Sequence, residues 1–142
     1  MTEHPLLDPN LLETPYALQK HLGFELTAWR DGFAIIEAPL APILMNRQGI
    51  PHGGIHATLM DSAMGYAGCY TGDPNLQQMA LTLSMTVNFL AQAKGARLIA
   101  TAQCTGGGRK TYFAEARVED EKGTLIATAT GVFRYRSLVQ KA

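Results

Sequence analysis

The run His52-Gly53-Gly54-Ile55-His56-Ala57-Thr58-Leu59-Met60-Asp61-Ser62-Ala63-Met64-Gly65-Tyr66-Ala67-Gly68-Cys69-Tyr70 decides the fold. From Ile55 to Tyr70 it contains no proline and is rich in Ala, Met and Leu, so it predicts the main helix of the chain. Ala57, Ala63, Gly65, Ala67 and Gly68 are small. A glycine inside a helix costs about 1 kcal/mol against alanine, a cost that makes sense where another backbone must come close. The run therefore predicts a long helix wrapped tightly by a curved sheet.

The segments on either side supply that sheet. On the N-terminal side, residues 9–22 predict a short amphipathic helix capped by Gly23, with Pro15 able to delay its start. Residues 24–30 and 33–39 predict two strands joined at Asp31-Gly32, a strong hairpin signal. Residues 41–51 predict a loop. On the C-terminal side, residues 79–90 alternate with period two. Met79, Leu81, Leu83, Met85, Val87 and Phe89 fall on one face, and Ala80, Thr82, Ser84, Thr86, Asn88 and Leu90 on the other. Residues 96–105 alternate again and end at the glycines 106–108. Residues 110–119 and 124–136 complete the set, joined near Lys122-Gly123. Short spacing between turns predicts antiparallel pairing. The expected architecture is α+β, one long helix against an antiparallel sheet. One helix covers one sheet face only, so self-association is expected.

Composition narrows the function. The chain has 142 residues, which predicts a single domain. It is 46% apolar and 17% charged, which excludes a disordered chain. Twelve basic residues balance twelve acidic ones, removing the electrostatic pull behind most nucleic-acid binding. The start, Met1 to Pro9, is polar and broken by prolines, so it predicts no secretory signal, and no stretch predicts a membrane span. Cys69 and Cys104 lie far apart with no CxxC pattern, so neither a disulfide nor a zinc site is expected and a cytoplasmic location is. His52 and His56 have an i, i+4 spacing but no HExxH carboxylate beside them, so no metal is expected and His56 reads as a packed helix residue. His21 suits a helix C-terminus, and His4 falls in a loose tail. The methionines read as core or as lining of an adaptable apolar pocket. No GxSxG, GxGxxG or Walker motif occurs.

Chemistry concentrates around the main helix. Its N-terminus exposes unpaired N–H groups and partial positive charge, and Gly53 and Gly54 let a ligand approach them. Such a site suits a carbonyl oxygen or oxyanion. His52 stands at its mouth, and Asn46 on the preceding loop is a further donor. Asp61 sits in the body of a mostly apolar helix, where an unpaired buried carboxylate costs several kcal/mol. Facing solvent or pairing with an arginine is the ordinary explanation; a general base or nucleophile is the sharper one. Gly53 and Asp61 are eight residues apart, about 12 Å along the axis. One acyl group cannot touch both. A shared site therefore requires the donors from one copy and the carboxylate from another, across a two-fold axis.

The pattern NxxGxxHGG, with Asp61 further along the helix, resembles the hotdog-fold acyl-CoA thioesterases, specifically the phenylacetate-catabolism (PaaI-like) branch. The strand LTLSMTVNFL with the trailing AxAK matches too, as does the later TYFAEARVED and GTLIATATGVF pattern. The likeness spans residues 45–135. It implies a helix wrapped by an antiparallel sheet, with paired subunits sharing two sites and associating further into tetramers. It implies that Asp61 activates water or attacks the thioester carbonyl, and that the Gly53 amide polarises that carbonyl. Asn46 and His52 match positions that orient the thioester and nucleophile, and Thr82 matches a hydroxyl that holds the water. Gly54, Arg109, Lys110 and Thr111 fall where similar proteins meet coenzyme A, although a solvated basic turn explains the last three equally well.

The expected function is hydrolysis of an acyl-CoA, aromatic or medium-chain, to a free acid and coenzyme A, with no cofactor required. Two alternatives use the same fold. A dehydratase or hydratase wants a helix-borne His paired with an acid, which Asp61 lacks. A non-hydrolytic acyl-CoA-binding module would ordinarily carry a DNA-binding segment, which the neutral charge disfavours.

Overall fold

The structure, a computed structural model, describes residues 7–141. The expectations for residues 1–6, His4 among them, lie outside the described residues.

The helical turns and strands follow in chain order. A 3-10 turn at Pro9–Leu11 precedes α1 (Ala17–Leu22), β1 (Glu25–Arg30) and β2 (Phe33–Pro39). A second 3-10 turn, Pro42–Leu44, leads to α2 (Gly53–Gly68). Then come β3 (Leu76–Gln77), β4 (Ala80–Phe89), β5 (Arg97–Gly107), β6 (Thr111–Asp120), β7 (Leu125–Tyr135) and β8 (Val139–Gln140). The predicted helix over 9–22 is therefore two pieces. Pro15 and the extended residues before it hold α1 back to its last six residues, and Gly23 caps it with φ 77°.

Six strands form one antiparallel sheet in the order β1-β2-β5-β6-β7-β4. All six contact α2, so the sheet curls around the helix as its small residues require. His56, Leu59, Met60, Ala63, Met64 and Ala67 form the buried face of α2. They meet Ile36, Leu98, Val118, Ile126 and Phe133 from the strands. Each large apolar side chain buried this way contributes roughly 1.5–3 kcal/mol. Two sheet aromatics also tie down the far end of α2. The Tyr112 hydroxyl donates to the carbonyls of Met64 and Gly65 at 3.1 and 3.2 Å, and Trp29 Nε1 donates to Tyr66 O at 2.7 Å. These are carbonyls of the last turns, where helical partners run out.

β4 departs from its predicted pattern. Its pairing with β7 shifts between Thr82 and Ser84, a bulge that adds one residue. Ala80 and Thr82 face the helix before it, and Met85, Val87 and Phe89 after it. Leu81 and Leu83, expected on the same face as Met85, are left 52% and 56% exposed. β4 is also an unpaired edge of the sheet. The outer sheet face is mainly polar, with Thr101, Gln103, Glu115, Arg117 and Thr128. Exposed apolar area gathers instead near the β4 edge.

The crossing from β4 to β5 is fastened by two acids. Asp120 accepts the amides of Lys94, Gly95, Lys122 and Thr124 at 2.8–3.0 Å. Burial would raise its pKa, but the backbone donors from Lys94, Thr124 and Gly95 prevail and hold the carboxyl well below the usual range. Glu121 accepts from Ala96 and Arg97, and a side chain at Gly95 would collide with its carboxylate.

Two helical glycines behave oppositely. A Cβ at Gly68 would lie 2.0 Å from the Tyr112 ring, whereas at Gly65 it would meet nothing within 4 Å. Gly65→Ala is expected to raise stability by about 1 kcal/mol through helix propensity. Gly68→Ala is expected to lower it by about 1–3 kcal/mol through overpacking. Urea denaturation of both variants measures the difference.

Candidate active site

α2 begins with a cap built by its own sequence. His52 keeps extended backbone angles, and its Nδ1 accepts the Gly54 amide at 2.8 Å. The Ile55 amide returns to His52 O at 2.9 Å. The helix therefore starts at Gly53, two residues earlier than the proline-free run suggests. Gly54 has spent its N–H on the cap. Gly53 at the first helical position has no acceptor for its N–H among the described residues, and its donor stays available. With Nδ1 accepting, the proton of neutral His52 sits on Nε2, directed away from the cap. Asn46 organises the preceding loop, its Oδ1 accepting Gln48 N at 2.8 Å and Ile50 N at 3.4 Å. Among the described residues its side-chain N–H2 group has no acceptor and remains a donor.

Asp61 is half-buried two turns further on. Thr82 Oγ1 donates to Asp61 Oδ1 at 2.7 Å. One carboxylate oxygen is thus held and the other is open. Among the described residues Asp61 has no cationic partner, so the ordinary explanation by ion pairing does not apply. The bulge just after Thr82 is what keeps that hydroxyl on the helix side while Leu81 and Leu83 point away.

The two carry a cavity with them. Asp61, Ser62, Gly65, Tyr66 and Cys69 share one stripe of α2, and this stripe lines a space of about 520 Å³. Trp29 of edge strand β1 closes one side, and Ala80 and Thr82 of edge strand β4 the other. Glu13 and Tyr16, just before α1, and Gln77 of β3 complete it. Gly65 opens onto this space, which is why nothing lies near it. The walls are mostly apolar and aromatic. Cys69 is not a nucleophile here: burial pushes its thiol up to about 11. Sequence reading missed Glu13, Trp29, Tyr66 and Gln77. A helical wheel centred on Asp61 carries the signal for Ser62, Gly65 and Cys69. Nothing local signals Glu13 or Gln77, which depend on long-range pairing.

The basic turn lies at the same end of the sheet. Thr111 pairs with Arg134, and Arg134 with Leu81, next to Thr82. Two strand spacings separate them, about 10 Å. Arg109 and Lys110 are exposed on this turn and Thr111 is half-buried. His56 lies on the buried face of α2. It packs beside Phe89 with ring centroids 6.3 Å apart, and its buried Nδ1 has no hydrogen-bond partner among the described residues. No helix among the described residues is long and apolar enough to cross a membrane.

A family model described as the thioesterase superfamily matches residues 48–127, more than half of the chain. The chain belongs to the thioesterase superfamily. The match takes in His52, Gly53, Gly54, Asp61, Thr82 and Arg109 to Thr111, and begins just after Asn46. The chain is 29% identical to the acyl-coenzyme A thioesterase PaaI of Escherichia coli, covering 81% of this chain and 79% of that one. It is 26% identical to the medium/long-chain acyl-CoA thioesterase YigI of Escherichia coli, covering 79% and 81%. A solved thioesterase family protein from Silicibacter pomeroyi superposes with a TM-score of 0.74 at 28% identity, covering 84% of this chain and 89% of that one. The architecture is the hotdog fold, and the family is one of thioester hydrolases.

Burial lowers the pKa of His56 from its ordinary 6.5. The unfolded chain then binds a proton that the folded one refuses, so stability is complete above about pH 6.5 and declines as pH falls below it. Melting temperature is expected to drop between pH 7 and pH 5. His56→Phe is expected to flatten that drop, read by calorimetry across the pH series.

Proposed function

We propose that this thioesterase hydrolyses acyl-CoA with Asp61 as general base and with the Gly53 amide of a second copy as carbonyl-polarising donor. The observation that carries the reading is the Asp61–Thr82 pair facing the cavity, with one carboxylate oxygen held and one free. Water bound between the free oxygen and the Thr82 hydroxyl loses its proton to Asp61 as it attacks the thioester carbon. Negative charge grows on the carbonyl oxygen, where a helix N-terminal N–H stabilises it. Collapse breaks the carbon–sulfur bond, and the proton on Asp61 passes to the departing thiolate. The products are a carboxylic acid and free coenzyme A.

The second copy follows from distance and from the β4 edge. Gly53 and Asp61 of one chain are about 12 Å apart along α2. β4 presents an unpaired row of backbone groups flanked by Leu81, Leu83 and Phe89, between 52% and 59% exposed. Soluble proteins protect such an edge or pair it. Antiparallel pairing of two β4 edges sets two α2 helices side by side and brings Gly53 of one chain to Asp61 of the other. Asn46 and the Nε2 of His52 lie at that same helix tip and orient the thioester. Arg109, Lys110 and Thr111, at the end of the sheet nearest Thr82, receive the coenzyme A phosphates. A further pairing of dimers would set their polar outer sheet faces, with Thr101, Gln103 and Thr128, against one another. The acyl group enters the cavity along α2, whose aromatic walls suit an aromatic or medium-chain tail. No cofactor takes part.

Asp61→Asn is expected to keep the melting temperature and lose about 10³-fold in kcat, and Thr82→Val about tenfold, with Thr82→Ser retaining most of it. The shared site has a sharper test. Gly53→Pro removes one N–H at a position where proline is tolerated. Each variant alone is expected to be nearly inactive. Mixed dimers of Gly53→Pro with Asp61→Asn are expected to regain thiol release, because one of their two sites is whole. No recovery in co-refolded mixtures overturns the shared site.

A further inference from the structure

The cavity along α2 has a far end, and that end is a partition. Glu13, Trp29, Cys69, Gln77 and Gln78 line the cavity, and the same five residues line a second void of about 10 Å³, room for one water. Side chains shared by two spaces stand between them. The partition is braced from several directions. Gln77 Nε2 donates to Glu13 Oε2, joining the segment before α1 to β3. β3 is itself paired with β8, Gln77 opposite Val139. Trp29 is held by its bond to Tyr66 O and by edge contacts with the rings of Tyr66 and Tyr70 at 5.3 and 5.6 Å.

We propose that this partition is an acyl-length ruler, with Glu13 and its partner Gln77 as the residues that set the limit. The proposal rests on the reading that Asp61 marks the thioester end of the cavity. From Asp61 to Cys69 the helix rises about 12 Å, close to the reach of an octanoyl or decanoyl chain. A longer tail must press apolar carbon against the Glu13 carboxylate and the Gln77 amide. It strips their hydration without offering hydrogen bonds in return. All five partition residues belong to one chain, so each copy builds its own far wall.

The test measures thiol release from butanoyl-, octanoyl-, dodecanoyl- and hexadecanoyl-CoA, together with calorimetric binding of the same thioesters to the Asp61→Asn protein. Both kcat/KM and affinity are expected to peak at octanoyl and to fall by about tenfold or more at hexadecanoyl. Glu13→Ala is expected to raise the hexadecanoyl-to-octanoyl ratio by about fivefold or more, and Gln77→Ala to do the same. Glu13→Gln keeps an acceptor for Gln77 and is expected to keep the limit. A flat profile beyond octanoyl, or alanine variants with an unchanged ratio, overturns the ruler. The catalytic reading fails on a different result. A length limit in binding with no thiol release from any thioester sustains the ruler and removes the hydrolytic role of Asp61.

Discussion

α2 must lose water around most of its circumference, and that requirement governs the rest of the molecule. Six strands reach it, so nearly every face of the helix is apolar or small. Such a helix has little amphipathic contrast, the mark of a helix enclosed by its own protein. The sheet is open between its two edges, β1 and β4, and α2 is bare only there. Burial elsewhere strands a polar group, as it does the Nδ1 of His56. Asp61 and Ser62 lie in that gap, so the proposed chemistry and the cavity occupy one place.

The gap is held at a fixed width by bonds that run from sheet to helix. Tyr112 and Trp29 donate to carbonyls near the C-terminal end of α2, from β6 and β1. Gly68 exists to admit the Tyr112 ring, and Gly65 one turn-edge away leaves the cavity open. Two glycines three residues apart thus serve opposite ends, one close packing and the other empty space. The methionines on the buried face, Met60 and Met64, fill the irregular space that a curved sheet leaves against a straight helix.

Much of this was legible in the chain. The proline-free run, the DG hairpin, the alternation in β5 and the glycine turns all express local rules, and the structure follows them. The burial of Leu98, Ala100 and Ala102 on one face of β5 is as the alternation requires. The departures share one cause: each depends on contacts distant in sequence. The β4 bulge is set by register against β7, so twelve alternating residues could not show that Leu81 and Met85 part company. β3 and β8 are two residues each and exist only because they pair with one another. The pairing of Asp61 with Thr82 spans 21 residues and needed the bulge to place the hydroxyl inward. The cap at His52 was readable as a helix start, but its consequence was not: using Gly54 N–H for the cap separates the two glycines into one structural and one free donor.

That separation bears on how the site is assembled. A free N–H at a helix tip is useful to a developing oxyanion only where water is excluded, since bulk water screens the same dipole. On an isolated chain the Gly53 tip is backed by Phe89, whose ring lies 3.2 Å from where a Cβ would stand, yet Phe89 is 59% exposed. An aromatic ring that shields one side of the donor while leaving its own outer face wet is an unfinished enclosure. Leu81 and Leu83 along the same edge are equally unfinished. In the dimer we propose, a second β4 laid against the first would cover all three, dry the donor, and deliver the carboxylate it serves. On that proposal association and catalysis share one apolar edge, and charge placed at Leu83 would weaken both together.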